Sequence, residues 1–177
     1  MPRWRDYTYD VWIQGYHSQN FLYRNLNPDH ESLEDYHSWL TNVENKFIES
    51  VQSDLTTQQL KEYVMQKNHA SDAILIGVFD LKEKEHIGNV KFEPIDFRQS
   101  KAWMGILIGS FKVRGKGFSN EIIESSCLFL AKTYGIQELF LGVDPLNVAA
   151  LKAYENSGFR EVGNHSKGGL IMVRDLF

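Results

Sequence analysis

The sequence predicts a mixed α/β fold, a sheet flanked by helices, and three observations carry that expectation. Short runs rich in β-branched and aromatic residues alternate with helical patterns from Phe21 onward. Trp103-Met104-Gly105-Ile106-Leu107-Ile108, nearly all apolar, leads through a glycine-rich turn into a long amphipathic stretch. The last third then runs strand, helix, strand.

The early elements follow from local pattern. Phe21-Leu22-Tyr23-Arg24-Asn25-Leu26 alternates as a strand, and Pro28-Asp29-His30 stops it before a helix carrying Leu33, Tyr36 or His37, and Leu40. Thr56 and Gln59 stand at capping-box spacing and open a second helix with Leu60 and Val64 on one face, ending near His69. Ala73 to Phe79 and Ile87 to Phe92 read as a hairpin across the charged turn at Lys82 to Lys84. A loop is expected from Pro94 to Ser100, followed by the apolar strand at Trp103 to Ile108, buried at the centre of the sheet. Ile123, Cys127, Leu130 and Tyr134 recur at steps of four, three and four, marking a helix that Gly135 caps. Leu139 to Val143 is a short strand, Asn147 caps a helix carrying Val148, Leu151 and Tyr154, and Gly158 ends it. Leu170 to Val173 supplies a last strand after a flexible stretch from His165 to Gly169.

At 177 residues the chain can bury a core of its own, and no repeat or low-complexity linker divides it, so residues 1–177 read as a single domain. Hydrophobic residues make up 42% and charged ones 24%, which argues against a disordered or purely coiled-coil chain. A formal charge of -4 gives no general attraction to phosphate backbones or anionic lipid, so neither nucleic acid nor a membrane is the expected partner. Cys127 stands alone, which excludes an intrachain disulfide, and no Cys/His cluster has zinc-ligand spacing, so no metal is expected. The first residues lead into no apolar signal core, and the run around Ala73 to Phe79 is too short to span a bilayer. A soluble, cytoplasmic chain is the expectation.

Chemistry concentrates in the turn Arg114-Gly115-Lys116-Gly117-Phe118-Ser119. A helix start presents unpaired N–H groups, glycines admit a phosphate without a Cβ clash, and Arg114 and Lys116 add positive charge. Pyrophosphate is the natural guest, although a plain structural turn also explains the glycines. A P-loop ending at Lys116 fails, since it needs glycine at Ser110 and a hydroxyl residue at Gly117. A dinucleotide fingerprint starting at Gly115 fails at Asn120, where its third glycine belongs.

The segment resembles the acyl-coenzyme A loop of the GNAT acyltransferase superfamily, (Q/R)-x-x-G-x-(G/A), with Arg114, Gly117 and Ser119 in its defined places. Ser119 departs from the small apolar residue at the last position, but its hydroxyl can itself reach a phosphate oxygen. A second motif follows in the family's order: Gly142-Val143-Asp144-Pro145-Leu146-Asn147, then Ala150, Tyr154 and Gly158-Phe159. The resemblance runs from about Phe21 to the C-terminus. It implies a central mixed, mostly antiparallel twisted sheet, splayed between its fourth and fifth core strands and flanked by helices. It also implies that Ile106, Leu107 and Ile108 hydrogen-bond pantetheine, that Asn147 contacts the pantetheine arm, and that Tyr154 approaches the coenzyme sulfur. An Asn at a helix start is also an ordinary cap, and a Tyr on an inner helix face is often core.

The implied activity is acetyl transfer from acetyl-CoA, the co-substrate, to a primary amine by direct attack, with no metal and no covalent enzyme intermediate. Tyr154 is the expected proton donor to the thiolate, and backbone N–H groups near Leu107 and Ile108 would polarise the carbonyl. Many relatives place a Glu just before the central Gly-Ile, but Trp103 stands there, which leaves Glu93 and Asp96 as candidate bases. His165 lies in the flexible segment and Cys127 fits core packing.

The stretch Asn45-Lys46-Phe47-Ile48-Glu49, the helix ending Trp39-Leu40, and Ile87-Gly88-Asn89-Val90 through Asp96 look like a branch containing ribosomal-protein N-terminal and amino-sugar acetyltransferases. Trp103, Phe92, Phe97 and Asn89 could supply stacking and hydroxyl contacts, so a nucleotide-linked amino sugar is the expected small-molecule acceptor. A protein N-terminus is the alternative acceptor, a non-catalytic acyl-CoA-binding domain an alternative activity, and an aromatic-rich protein-interaction module the last alternative. Pairing with a second copy of the chain is compatible with all of these.

Overall fold

A computed structural model describes residues 15–42, 54–165 and 168–177. In chain order these form β1 (Tyr16–His17), β2 (Phe21–Arg24), α1 (Glu34–Thr41), α2 (Thr57–His69), β3 (Ile74–Asp80), β4 (His86–Asp96) and β5 (Lys101–Ile108). Then come α3 (Phe118–Tyr134), β6 (Glu138–Val143), α4 (Val148–Asn156), β7 (Arg160–Asn164) and β8 (Leu170–Asp175). The strands hydrogen-bond in the order β1-β2-β3-β4-β5-β6-β8-β7, an open mixed sheet. The β5–β6 pair is parallel, whereas β1–β2, β2–β3, β6–β8 and β7–β8 are antiparallel.

The chain divides into two compact units, Met1–Lys91 with Ile106–Val113, and Phe92–Gly105 with Arg114–Phe177. In the first, α1 and α2 build a core around Tyr36, Trp39, Leu60 and Val64, which packs with Leu75 and Phe79 of β3. The capping box that opens α2 is complete: Gln59 N–H donates to Thr56 Oγ1 at 3.2 Å, and Thr56 N–H donates to Gln59 Oε1 at 2.8 Å.

In the second unit α3 buries Ile122, Ile123, Cys127 and Leu130 and packs against α4. Arg174 of β8 forks onto Glu124 of α3 with bonds of 2.6 and 2.8 Å, fixing the helix to the last paired strand. Gly135 ends α3 in the left-handed region at φ 67°, as its position predicts.

Three expectations need correction. The strand from Ile87 does not stop at Phe92: β4 continues through Glu93 and Pro94 to Asp96. A proline lacks the donor for a ladder bond but does not prevent its neighbours from remaining extended. Second, β5 is not uniformly buried, since Gly105 is exposed and residues 106–108 are half-buried. Third, residues 160–164, to which the sequence pattern assigns no element, form β7 and pair with β8. Its five residues carry no apolar alternation because it is the exposed last strand of the sheet.

Candidate active site

The turn at residues 114–119 lies within the second unit and opens α3. Gly115 and Gly117 adopt φ of 72° and 81°, a region that L side chains rarely enter. A Cβ at either would meet nothing within 4 Å, so backbone conformation rather than crowding demands glycine. Gly117 is the N-cap of α3 and has no side chain with which to cap it. Arg114 and Lys116 are exposed beside it. Partial burial lowers the Arg114 pKa, yet a guanidinium keeps its charge at neutral pH. Phe118 and Ser119 are half-buried in the first helical turn. Open glycine backbone, positive side chains and the positive end of α3 together fit an anionic pyrophosphate.

Asn147 and Tyr154 share α4 and its cap in the same unit. The Asn147 side-chain oxygen accepts from Ala150 N–H at 3.2 Å. Capping therefore uses the oxygen alone and leaves the amide NH2 to donate elsewhere. Tyr154 is half-buried, with its ring edge-on to Phe159 at 5.7 Å. Burial pushes its phenol up to about 12, so the hydroxyl is protonated at neutral pH.

The parallel register of β5 with β6 covers Lys101, Ala102 and Trp103, paired with Glu138, Leu139 and Phe140. No register with β6 follows along β5, in keeping with the expected splay of the fourth and fifth core strands. Ile106, Leu107 and Ile108 belong to the first unit, where β5 runs tightly beside β4: a Cβ on Gly88 would lie 2.3 Å from the Leu107 carbonyl oxygen.

The candidate bases fare differently. Asp96 is exposed, and its Oδ1 accepts from the N–H groups of Arg98 at 2.9 Å and Gln99 at 3.0 Å, so it organises the turn into β5. Glu93 sits half-buried within β4 rather than on a loop. The acceptor set is also altered. Phe92 is 0% exposed and belongs to the core. Asn89 is buried and accepts a bond from His86. Trp103 stacks on Phe140 at 5.6 Å, and Phe97 leans on Tyr134 at 6.1 Å. Asn45 to Glu49 lie outside the described residues. Cys127 is buried with its thiol pushed up to about 12, as befits packing rather than reactivity. His165 is exposed.

His86 has no place in the set read from sequence. It sits among Tyr36, Trp39 and Phe79, with ring centroids 6.3, 5.0 and 4.8 Å away. These partners come from α1 and β3, so no spacing along the chain announces them. Burial lowers its pKa and favours the neutral ring. Among the described residues no helix is long and apolar enough to cross a membrane, and no group of three or more His, Cys, Asp or Glu could hold a metal ion.

Comparison with known proteins bears on this geometry. Residues 20–160 match the family described as Acetyltransferase (GNAT) domain. No curated protein matches the chain. Among solved structures, the spermidine N-acetyltransferase from Vibrio cholerae, in complex with CoA and spermine, superposes with a TM-score of 0.77 at 22% identity, covering 90% of this chain and 97% of that one. A dodecameric form of the V. cholerae enzyme gives 0.73 at 21% identity, covering 90% and 95%. A V. cholerae chain provisionally named ribosomal-protein-serine acetyltransferase gives 0.69 at 16%, also covering 90% and 95%. At these identities the structures speak to the fold, whereas the family match spans most of the chain and takes in both the glycine turn and the Asn147–Tyr154 helix. The chain thus belongs to the GNAT acetyltransferase family, the acetyl-CoA-dependent N-acetyltransferases to which its turn and its second motif both pointed.

Proposed function

We propose that this chain moves the acetyl group of acetyl-CoA directly onto the amine of a small molecule in the cytoplasm, with residues 114–119 holding the pyrophosphate. The observation that carries the reading is the pair of left-handed glycines at the start of α3 with Arg114 and Lys116 exposed beside them. Asn147 would donate its unused amide hydrogens to the pantetheine arm, and the N–H and C=O groups of Ile106, Leu107 and Ile108 would extend alongside it as a neighbouring strand does.

Acetyl-CoA supplies a thioester whose carbonyl carbon is open to attack and whose thiolate can leave. Tyr154 serves that sulfur. Burial raises this phenol's pKa further above that of an ordinary thiol, so complete proton transfer to the thiolate is uphill. The hydroxyl therefore stabilises the departing charge chiefly as a hydrogen-bond donor, with the amine's own proton completing the thiol.

For the acceptor, burial of Phe92 and Asn89 removes two of the four side chains that favoured a nucleotide-linked amino sugar. A cationic aliphatic amine fits better. Asp29, Glu31, Glu34 and Asp35 crowd one short stretch at the start of α1, and a net charge of -4 adds general attraction for a cation. Solved neighbours named as spermidine N-acetyltransferases support the same class. The test is coenzyme A release from acetyl-CoA with spermidine, a nucleotide-linked amino sugar and peptide N-termini as separate acceptors, beside calorimetry of coenzyme binding. Turnover with spermidine is expected. Turnover only with the sugar or the peptide would move the acceptor assignment, and coenzyme binding without turnover on any amine would make the chain a binding domain.

A further inference from the structure

We propose that His86 receives the proton of the substrate amine, and that Gly88 and Asn89 orient its ring for that task. The inference rests on the acetyl-transfer reading above and supplies the base that Trp103 cannot provide.

Hydrogen bonding fixes the tautomer. His86 Nε2 lies 2.9 Å from the Gly88 carbonyl oxygen and 3.0 Å from Asn89 Oδ1. A carbonyl can only accept, so Nε2 carries the hydrogen, and the Asn89 amide must turn its oxygen toward it. In the neutral ring the lone pair is then on Nδ1, which has no hydrogen-bonding partner among the described residues. Asn89 completes an unusual pair. Its Nδ2 is buried without a partner, on a residue only 3% exposed, and an unmet buried donor is destabilising. One acceptor and one donor thus remain unmet on two residues joined by a hydrogen bond.

The location suits acyl transfer. Ile87, between them and His86, accepts through its carbonyl from Gly109 N–H at 3.0 Å and Ser110 N–H at 3.1 Å. His86 therefore stands on the strand paired with the end of β5, whose N–H groups are the expected carbonyl polarisers. Trp39, in ring contact with His86, also lies flat against Gly109, where a Cβ would fall 1.8 Å from its Cδ2.

The proton accounting is straightforward. The free-base amine attacks the thioester carbonyl carbon, the C–N bond forms, and the nitrogen becomes cationic and far more acidic than the starting ammonium. Nδ1 takes that proton, the C–S bond breaks, and the sulfur leaves as thiolate. Imidazolium then returns its proton to the thiolate or to water, giving amide, thiol and a neutral ring. Burial holds His86 neutral in readiness. Charged and titratable groups around it are Tyr36 and Asp35 of α1, Glu31 ahead of that helix, and Arg24 of β2, whose guanidinium lies over the Phe79 ring at 3.8 Å. The two carboxylates act against the larger effect of burial.

The experiment uses the full chain, acetyl-CoA and whichever amine of the acceptor panel it acetylates. His86→Gln retains an amide donor in place of Nε2–H and has no base. It should bind coenzyme A within about twofold of wild type, lose about a hundredfold in kcat, lose the acid-side fall of the kcat/KM profile, and recover partly with added imidazole. Asn89→Asp should shift that acid-side fall to higher pH, because a carboxylate on Nε2–H stabilises the imidazolium. Wild-type kcat and an unchanged profile in His86→Gln would overturn the role. Should His86→Gln not fold, an unmoved acid limb in Asn89→Asp would overturn it alone. Absence of turnover by the wild-type chain on every amine would remove the acetyl-transfer reading and this role together, whereas turnover undiminished in His86→Gln removes the role of His86 only.

Discussion

Helices α2 and α3 start in opposite ways. Thr56 and Gln59 exchange hydrogen bonds with each other's backbone, so the first turn of α2 is satisfied by its own side chains. Gly117 opens α3 with no side chain to offer, in a conformation that favours glycine. The first arrangement is the stable one for a helix left to itself. The second has no cap from its N-cap residue, and the positive side chains of Arg114 and Lys116 beside it suit the anion proposed above. A helix start whose N-cap residue offers no side chain is thus informative in proportion to how easily the sequence could have supplied one.

The sharpest way to break the contrast is to fill the glycine. Gly117→Val forces a β-branched residue into φ 81°, and coenzyme A affinity measured by calorimetry should fall a hundredfold or more while the protein stays folded. Unchanged affinity would make the uncapped start an ordinary turn. Tyr154→Phe comes next. It should leave coenzyme affinity intact and lower kcat about a hundredfold, the low end for a proton donor whose own transfer is uphill. Because the phenol's pKa is raised, its protonated form persists as pH climbs, so wild type should show no alkaline loss of rate from this group below about pH 10. Steady-state rates across pH under chemistry-limited conditions check both statements.

Two smaller effects sharpen the comparison from either side. Arg114→Ala should weaken coenzyme binding about fivefold at low salt and less at high salt, since an exposed charge is worth about 1 kcal/mol and is screened. Thr56→Ala should do the reverse: cost about 1 kcal/mol of stability, seen as a melting shift of about 2–4 °C, with coenzyme affinity untouched. A loss of coenzyme affinity in Thr56→Ala would show that the two helix starts are not independent.

Both starts were legible because caps are local chemistry. Thr56 with Gln59, Gly135 and Asn147 announce their roles within four residues, and the structure places each as expected. The glycine turn was legible for the same reason. Features set by distant partners were not. Residues 160–164 become a strand by pairing with β8, which their own alternation does not foretell. Asp96 is a different case, because its Oδ1 accepts from the N–H groups of Arg98 and Gln99, two and three residues on, a local turn pattern that a reading of Asp96 by type alone passes over. Phe92 has the right ring for stacking but the wrong place for it. His86 gains its interest from Tyr36, Trp39 and Phe79, which sequence separates by up to fifty residues and the fold gathers around one ring.

The contact of Trp39 with Gly109 has an optical consequence. The indole is 7% exposed and lies against backbone five residues upstream of Arg114, so a shift of that backbone alters the ring's surroundings. Of Trp39 and Trp103, the two tryptophans among the described residues, Trp39 is the one pressed on the segment that feeds the glycine turn. Its emission offers a label-free signal for the state of that segment, and Trp103→Phe would lower the background without touching the reporter.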